Sequence, residues 1–148
     1  MFTRIVVGTD GSETAAEAVR QAIDLAKLTG AQLSIVSAYA PLPQQRRVEG
    51  DKQSAPPDVQ YEIGPREDVN LILDAAAAEA RQKSVEVQTH PIEADPADAI
   101  LNVAEQTDAD LIVVGNKGMT GARRYLLGSV PNNVSHHAPC NVMIVRTT

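Results

Sequence analysis

The sequence predicts an α/β fold, a single domain with one five-stranded, mostly parallel sheet and helices on both faces. Three observations carry that expectation. Four short runs rich in Val and Ile stand out: Ile5-Val6-Val7, Leu33-Ser34-Ile35-Val36, Leu111-Ile112-Val113-Val114 and Val142-Met143-Ile144-Val145. Uninterrupted apolar runs of this length suit strands covered on both faces, as in a parallel sheet. A fifth run, Val85-Glu86-Val87-Gln88-Thr89, alternates and fits a strand with one face partly wet, at an edge. Helical periodicity fills the gaps. The order βαβαβαβαβ with right-handed crossovers then gives strand order 3-2-1-4-5.

The first helix starts near Ser12 and places Ala15, Ala18, Val19, Ala22 and Ala26 on one face. It stops at Gly30, a residue suited to the position after a helix. Pro41, Pro43, Pro56 and Pro57, set among Gln, Arg and Glu, make residues 41–60 read as a mobile loop after strand 2. Val69, Ile72, Leu73, Ala76 and Ala80 mark a second helix. Asp95-Pro96 opens a third, because Asp accepts from N-terminal amides and Pro fits the first helical position. Ile100, Leu101 and Ala104 form its inward stripe. A fourth begins around Ser129, ahead of Val130 and Val134, and ends near Ala138-Pro139. No internal repeat or second domain is visible, so residues 1–148 read as one unit.

Composition narrows the function. The 148 residues suffice for one substantial core, and 43% are apolar. With one Phe and no Trp, that core is aliphatic. A net charge of −6 and no long run of Lys or Arg argue against nucleic acid as a partner. The single Cys140 precedes an apolar run and reads as a small hydrophobe. The apolar segment after Met1-Phe2-Thr3-Arg4 is shorter than the roughly 7–15 residues of a secretory h-region or the ~20 of a membrane span. No membrane association and a cytoplasmic location are therefore expected.

In an open parallel sheet, ligands bind beyond the carboxyl ends of the strands, where the strand order reverses. Here that point lies between strands 1 and 4. The segments leaving them are Gly8-Thr9-Asp10-Gly11-Ser12 and Gly115-Asn116-Lys117-Gly118. Either alone is equally a nucleotide-pocket wall or a tight strand-to-helix turn, since turns also select Gly, Asp and Ser. The second segment says more: nine residues after Gly118 comes Gly128-Ser129, at the start of the fourth helix. Glycines let backbone approach a ligand closely, and a helix N-terminus favours phosphate. A loop closing over one ligand from both ends needs that spacing.

Gly115-x2-Gly118-x9-Gly128-Ser129 resembles in full the nucleotide-binding pattern of ATP-binding universal stress proteins. Val6-Val7-Gly8-Thr9-Asp10-Gly11-Ser12 is similar to that family's opening strand and turn, and Ala109 to Gly115 to its fourth strand. Leu126-Leu127-Gly128-Ser129-Val130 is similar to its loop–helix junction. The resemblance spans nearly the whole chain apart from the loop around 41–60. It implies a Rossmann-like fold of the adenine nucleotide alpha hydrolase type and an adenine-nucleotide site. On that resemblance Asp10 hydrogen-bonds the ribose, Thr9 lines the same wall beside Gly11, and Ala38 offers backbone groups to adenine. Val114 and Gly115 end the fourth strand at the ligand, Gly115 and Gly118 contact ribose and phosphates, and Gly128, Ser129 and Val130 hold the phosphates. Lys117 adds a mobile positive charge. One departure stands out: many members have Gly before the Pro of helix 3, where this chain has Ala94-Asp95-Pro96.

The resemblance names ATP as ligand, with Mg2+ carried by its phosphates. Cyclic AMP or AMP is the alternative, because Pro131-Asn132-Asn133-Val134-Ser135 resembles a subset that prefers cyclic AMP. It also implies a homodimer built by pairing Val142–Val145 across a two-fold axis, an edge strand that invites association.

Rival chemistry is less well served. His136 and His137 are adjacent near a helix end and point in different directions, so shared metal ligation is not expected. Asp108 and Asp110 read as solvated turn residues. A phosphoacceptor receiver domain needs an Asp after strand 3, where the reading places His90-Pro91. No Gly-Lys-Ser/Thr follows any strand, and after strand 1 only Gly8-x-x-Gly11 remains of a dinucleotide fingerprint. No general base converges on a γ-phosphate, so the sequence favours a nucleotide-binding sensor with at most slow hydrolysis.

Overall fold

The computed structural model describes residues 1–40, 65–116 and 128–147. Among these the elements run β1 (Arg4–Gly8), α1 (Glu13–Thr29), β2 (Gln32–Tyr39), α2 (Pro65–Gln82), β3 (Val87–Glu93), α3 (Pro96–Gln106), β4 (Leu111–Gly115), α4 (Ser129–His137) and β5 (Asn141–Val145). All strand pairs are parallel, in the order β3-β2-β1-β4-β5. The expected α/β class and strand order are what the chain adopts.

The strand pleat explains why the central runs are apolar throughout. Ile5 and Val7 of β1, with Leu33, Ile35, Leu111 and Val113, meet α1 and α2 on one face. Val6, Val36, Ile112 and Val114 point the other way, into a second cluster with α3 and α4. Both faces of β1 and β4 are thus covered, and alternation disappears. The helices begin where the capping residues sit. Ser12 Oγ accepts the Ala15 amide, and the Asp95 side chain accepts that of Ala97. Gly30 ends α1 at φ 75°, donating its amide to Ala26.

β3 departs from expectation. The alternating run predicts a strand from Val85 to Thr89, whereas β3 runs Val87–Glu93, through His90 and Pro91. β2 is eight residues long, and its pairing from Leu33↔Val87 to Tyr39↔Glu93 draws the proline segment into the sheet. An edge strand tolerates the missing amide of Pro91. Val85 instead closes the end of α2, its amide donating to Ala80 after Ser84 at φ 64°. Strand 3 is consequently followed by Asp95, not His90-Pro91, and that carboxylate is engaged as the α3 cap.

Asp110 also departs from expectation. Its carboxylate accepts the Thr3 amide (2.9 Å), the Thr3 hydroxyl (3.0 Å) and the Arg4 amide (3.1 Å), tying the start of β4 to the start of β1. Partial burial pushes its carboxyl upward, but these hydrogen bonds outweigh it and hold the carboxyl below its ordinary value. Asp108, at φ 54°, offers its carbonyl to Arg4 Nε. Nearby, burial and then the Asp110 charge push the Cys140 thiol up, away from thiolate reactivity. No helix among the described residues is long and apolar enough to cross a membrane.

Candidate functional site

β1 and β4 are neighbours, yet the chain leaves β1 toward α1 on one face and reaches α4 on the other. Their carboxyl ends therefore frame a cleft at the point where the strand order reverses. Gly8 and Gly115 form its strand ends. Ala38, Pro96, Ile100, Val114, Val130 and Pro131 give it an apolar lining, and Thr9, Asp10, Ser12 and Thr14 a polar wall.

The turn after β1 is built to hold that wall. The Thr9 amide donates to Val36, prolonging the β1–β2 ladder, and its hydroxyl accepts the Gly11 amide at 3.1 Å. Asp10 Oδ1 accepts the Ser12 amide at 2.9 Å, and among the described residues no donor reaches Oδ2. Gly11 stands outside the cleft. Its φ is 84°, and a Cβ there would lie 2.8 Å from Ile72 Cδ1, so glycine serves the turn and its packing on α2. At Gly8 a Cβ would meet Ile100 Cδ1 at 2.5 Å. The close approach of β1 to α3 is what makes the floor.

The other wall comes from α4. The Gly128 amide donates to the Asn116 carbonyl at 3.1 Å, so the two glycine-bearing ends of the 117–127 segment meet. Ser129 opens the helix and is exposed. Gly128 is the N-cap with no side-chain cap bond, and its carbonyl accepts the Asn132 amide. Pro131 has no N–H, so the helix head presents the amides of Ser129 and Val130. Gly128 is thereby placed beside those two amides while its own amide is engaged with Asn116. Lys117 and Gly118 lie outside the described residues, as does the loop at 41–60.

A larger hollow of about 700 Å³ lies by the first turns of α1, lined by Glu13, Glu17, Arg20 and Arg146 among others, against about 110 Å³ for the cleft. It is open surface, and Arg20 pairs with Glu17 there. Neither glycine-bearing strand end reaches it. By its chemistry, not its size, the smaller cleft is the candidate site.

The universal stress protein family model matches residues 1–146. The chain belongs to the universal stress protein family. Rv1636 of Mycobacterium tuberculosis strain H37Rv, a universal stress protein, is 38% identical over 150 residues, covering 99% of this chain and 98% of its own. Universal stress protein YxiE of Bacillus subtilis strain 168 is 33% identical, covering 99% and 100%. A universal stress protein solved in complex with cAMP is similar at TM-score 0.72 and 32% identity, covering 99% of this chain and 98% of that one.

Within this universal stress protein, the cleft gathers Thr9, Asp10, Ala38, Val114, Gly115 and Val130 of the residues singled out in the sequence. Sequence reasoning missed Ile100 and Pro96 as lining and Asn116 as the residue closing the site. Ile100 carried only the signal of an inward helical face. Ala94, the departure ahead of Pro96, donates its amide to Tyr39 at 3.2 Å. Of the His pair, His137 is engaged within α4, its Nδ1 donating to the Asn133 carbonyl at 3.0 Å.

Proposed function

We propose that this protein binds an adenine nucleotide, the nucleoside seated in the cleft and the phosphates on the amides at the head of α4. The observation that carries this reading is the 3.1 Å bond from Gly128 to Asn116, which holds the α4 head against the end of β4. Anion-binding amides and an apolar floor then serve one molecule. Asp10 and Thr9 face the ribose, Ala38 presents backbone to the adenine edge, and Gly115 admits close approach. Lys117 and Gly118 would complete the phosphate side.

ATP is the proposed ligand. Among the described residues no group of three or more His, Cys, Asp and Glu is placed to hold a metal ion, and Asp10 is the one carboxylate among the described lining residues. Magnesium, which keeps several waters and binds through one or two carboxylates plus phosphates, fits here as an ion carried by the nucleotide. With one Asp10 oxygen on the Ser12 amide and the other turned to the ribose in this reading, the site suits a stress-related sensor whose output is occupancy. Phosphate release should stay below about 1 s⁻¹, the low end of ordinary enzymes.

A specific observation favours cyclic AMP as a second reading. Pro131 removes one amide from the α4 head, and the two that remain suit a single phosphodiester, the ligand class of the related protein solved with cAMP. Calorimetry with ATP, AMP and cyclic AMP, with and without Mg2+, decides. Tighter ATP supports the first reading, tighter cyclic AMP the second, and no binding of any of them overturns both.

The same reading includes a homodimer through β5, an edge strand whose Ile144 is 37% exposed. Light scattering at micromolar concentration should give twice the chain mass, reduced to the monomer by Ile144→Lys. A monomeric wild type removes the dimer.

A further inference from the structure

Asn116 follows β4 directly, and four hydrogen bonds converge on it. Its amide donates to the Val145 carbonyl at 2.8 Å, extending the β4–β5 ladder one residue past the strand. Its carbonyl accepts the Gly128 amide at 3.1 Å. Its Oδ1 accepts both the Thr147 amide at 2.8 Å and the Thr147 hydroxyl at 2.9 Å. The Thr147 amide can only donate, so the atom facing it must be the side-chain oxygen, and both acceptor positions of that oxygen are filled. The peptide on either side of Asn116 is thereby pinned, through β5 and through the residue that follows Arg146.

α1 and α3 are each capped by a side chain, Ser12 and Asp95, whereas α4 has none. A side-chain cap on α4 would occupy the amides that the nucleotide reading needs. The direction of its head is set instead by the backbone bond from Gly128 to Asn116. From there the chain of bonds runs without a break into the helix, as Gly128 accepts the Asn132 amide at 3.1 Å.

We infer that Asn116 is a positioning residue for the phosphate end of the site, and that its side-chain clasp on Thr147 makes the segment after β5 a determinant of phosphate affinity without contact with the ligand. This rests on the nucleotide reading above. Tilting the Asn116 carbonyl moves Gly128, and with it the Ser129 and Val130 amides, whereas the Thr9, Asp10 and Ala38 side of the cleft is held by β1 and β2. Loss of the clasp is therefore felt by a phosphate and not by a nucleoside.

The test compares AMP with adenosine in wild type, Asn116→Ala and Thr147→Val, by calorimetry. Asn116→Ala should weaken AMP about tenfold and adenosine by less than about twofold, the scale of one or two lost hydrogen bonds. Thr147→Val keeps the amide bond and deletes only the hydroxyl bond, so it should show the same selectivity at about threefold. It also serves if Asn116→Ala folds poorly. Equal losses for AMP and adenosine would assign Asn116 a merely structural role and overturn the inference, as would unchanged AMP affinity in both variants. Wild-type protein that binds neither AMP nor adenosine overturns this inference, whereas the nucleotide reading falls only if ATP and cyclic AMP fail to bind as well.

Discussion

The Asp110 carboxylate grips Thr3 twice, through its amide at 2.9 Å and its hydroxyl at 3.0 Å. It does so at the amino ends of the two central strands, opposite the cleft, and the grip has a pH signature. The folded carboxyl sits below its ordinary 3.8, so its contribution is present above that value and is lost as pH falls through the lower folded one. Asp110→Ala should cost about 1 kcal/mol at pH 7, the scale of hydrogen bonds to a charged acceptor discounted for solvent. Urea midpoints from pH 7 to pH 3 should converge between wild type and variant at the acid end. A constant gap across that range would show that the charge is irrelevant.

Gly8 and Ile100 are in contact to a degree that admits no methyl group between them. Gly8→Ala should push the Ile100 side chain into the cleft, weakening adenosine about tenfold with a stability cost of about 1–3 kcal/mol for overpacking. Ile100→Val removes the obstructing Cδ1, so the double variant should recover most of the affinity. Additive losses in that cycle would mean that Gly8 matters for its own backbone and not for this contact.

Much of the molecule was readable in advance because its main signals are local. The strands between covered faces show as apolar runs, and Ser12, Gly30 and Asp95-Pro96 mark helix ends by their own chemistry. β3 was misplaced because the length of β2, a tertiary partner, decides where it ends, and proline argues against a strand only when its amide is needed. Asp110 looks like a turn residue in the sequence because its donors, Thr3 and Arg4, lie more than a hundred positions away. The site shows the same division. Thr9, Asp10 and Gly115 belong to turns whose residue types announce themselves, whereas Asn116 closes the site through its backbone, which no residue type announces. Gly11 resembled a ligand contact because a positive φ and close approach to a ligand select the same residue.

Asp10 has one carboxylate oxygen on the Ser12 amide and one without a donor among the described residues. If the second oxygen takes a ribose hydroxyl, Asp10→Ala should weaken adenosine about tenfold or more, as expected for a hydrogen bond to a charged group. The same substitution should leave a deoxyadenosine lacking that hydroxyl almost unaffected. Comparing adenosine with its 2′-deoxy and 3′-deoxy forms identifies the hydroxyl. A uniform loss across the three nucleosides would reduce Asp10 to a brace for the turn.

His90 is half-buried on β3, opposite Val36 on the α3 face, and its Nε2 is buried without a hydrogen-bond partner among the described residues. Burial lowers its pKa below 6.5, so the neutral ring is the folded form. The unfolded chain takes up the proton first as pH falls. Stability is therefore complete above about pH 6.5 and declines below it, until the folded ring also protonates. His90→Leu keeps an apolar side chain against Val36 and has no proton to take up. It should raise stability by roughly 0.5–1 kcal/mol at pH 7, the cost of an unpartnered buried nitrogen discounted for the part of the ring that meets solvent. The gap should widen between pH 6.5 and pH 5, read as thermal midpoints in buffers of matched ionic strength. Because Asp110 titrates only at lower pH, the two limbs separate on the same plot. Parallel curves for wild type and His90→Leu over that interval would show that this ring is not the source of the decline.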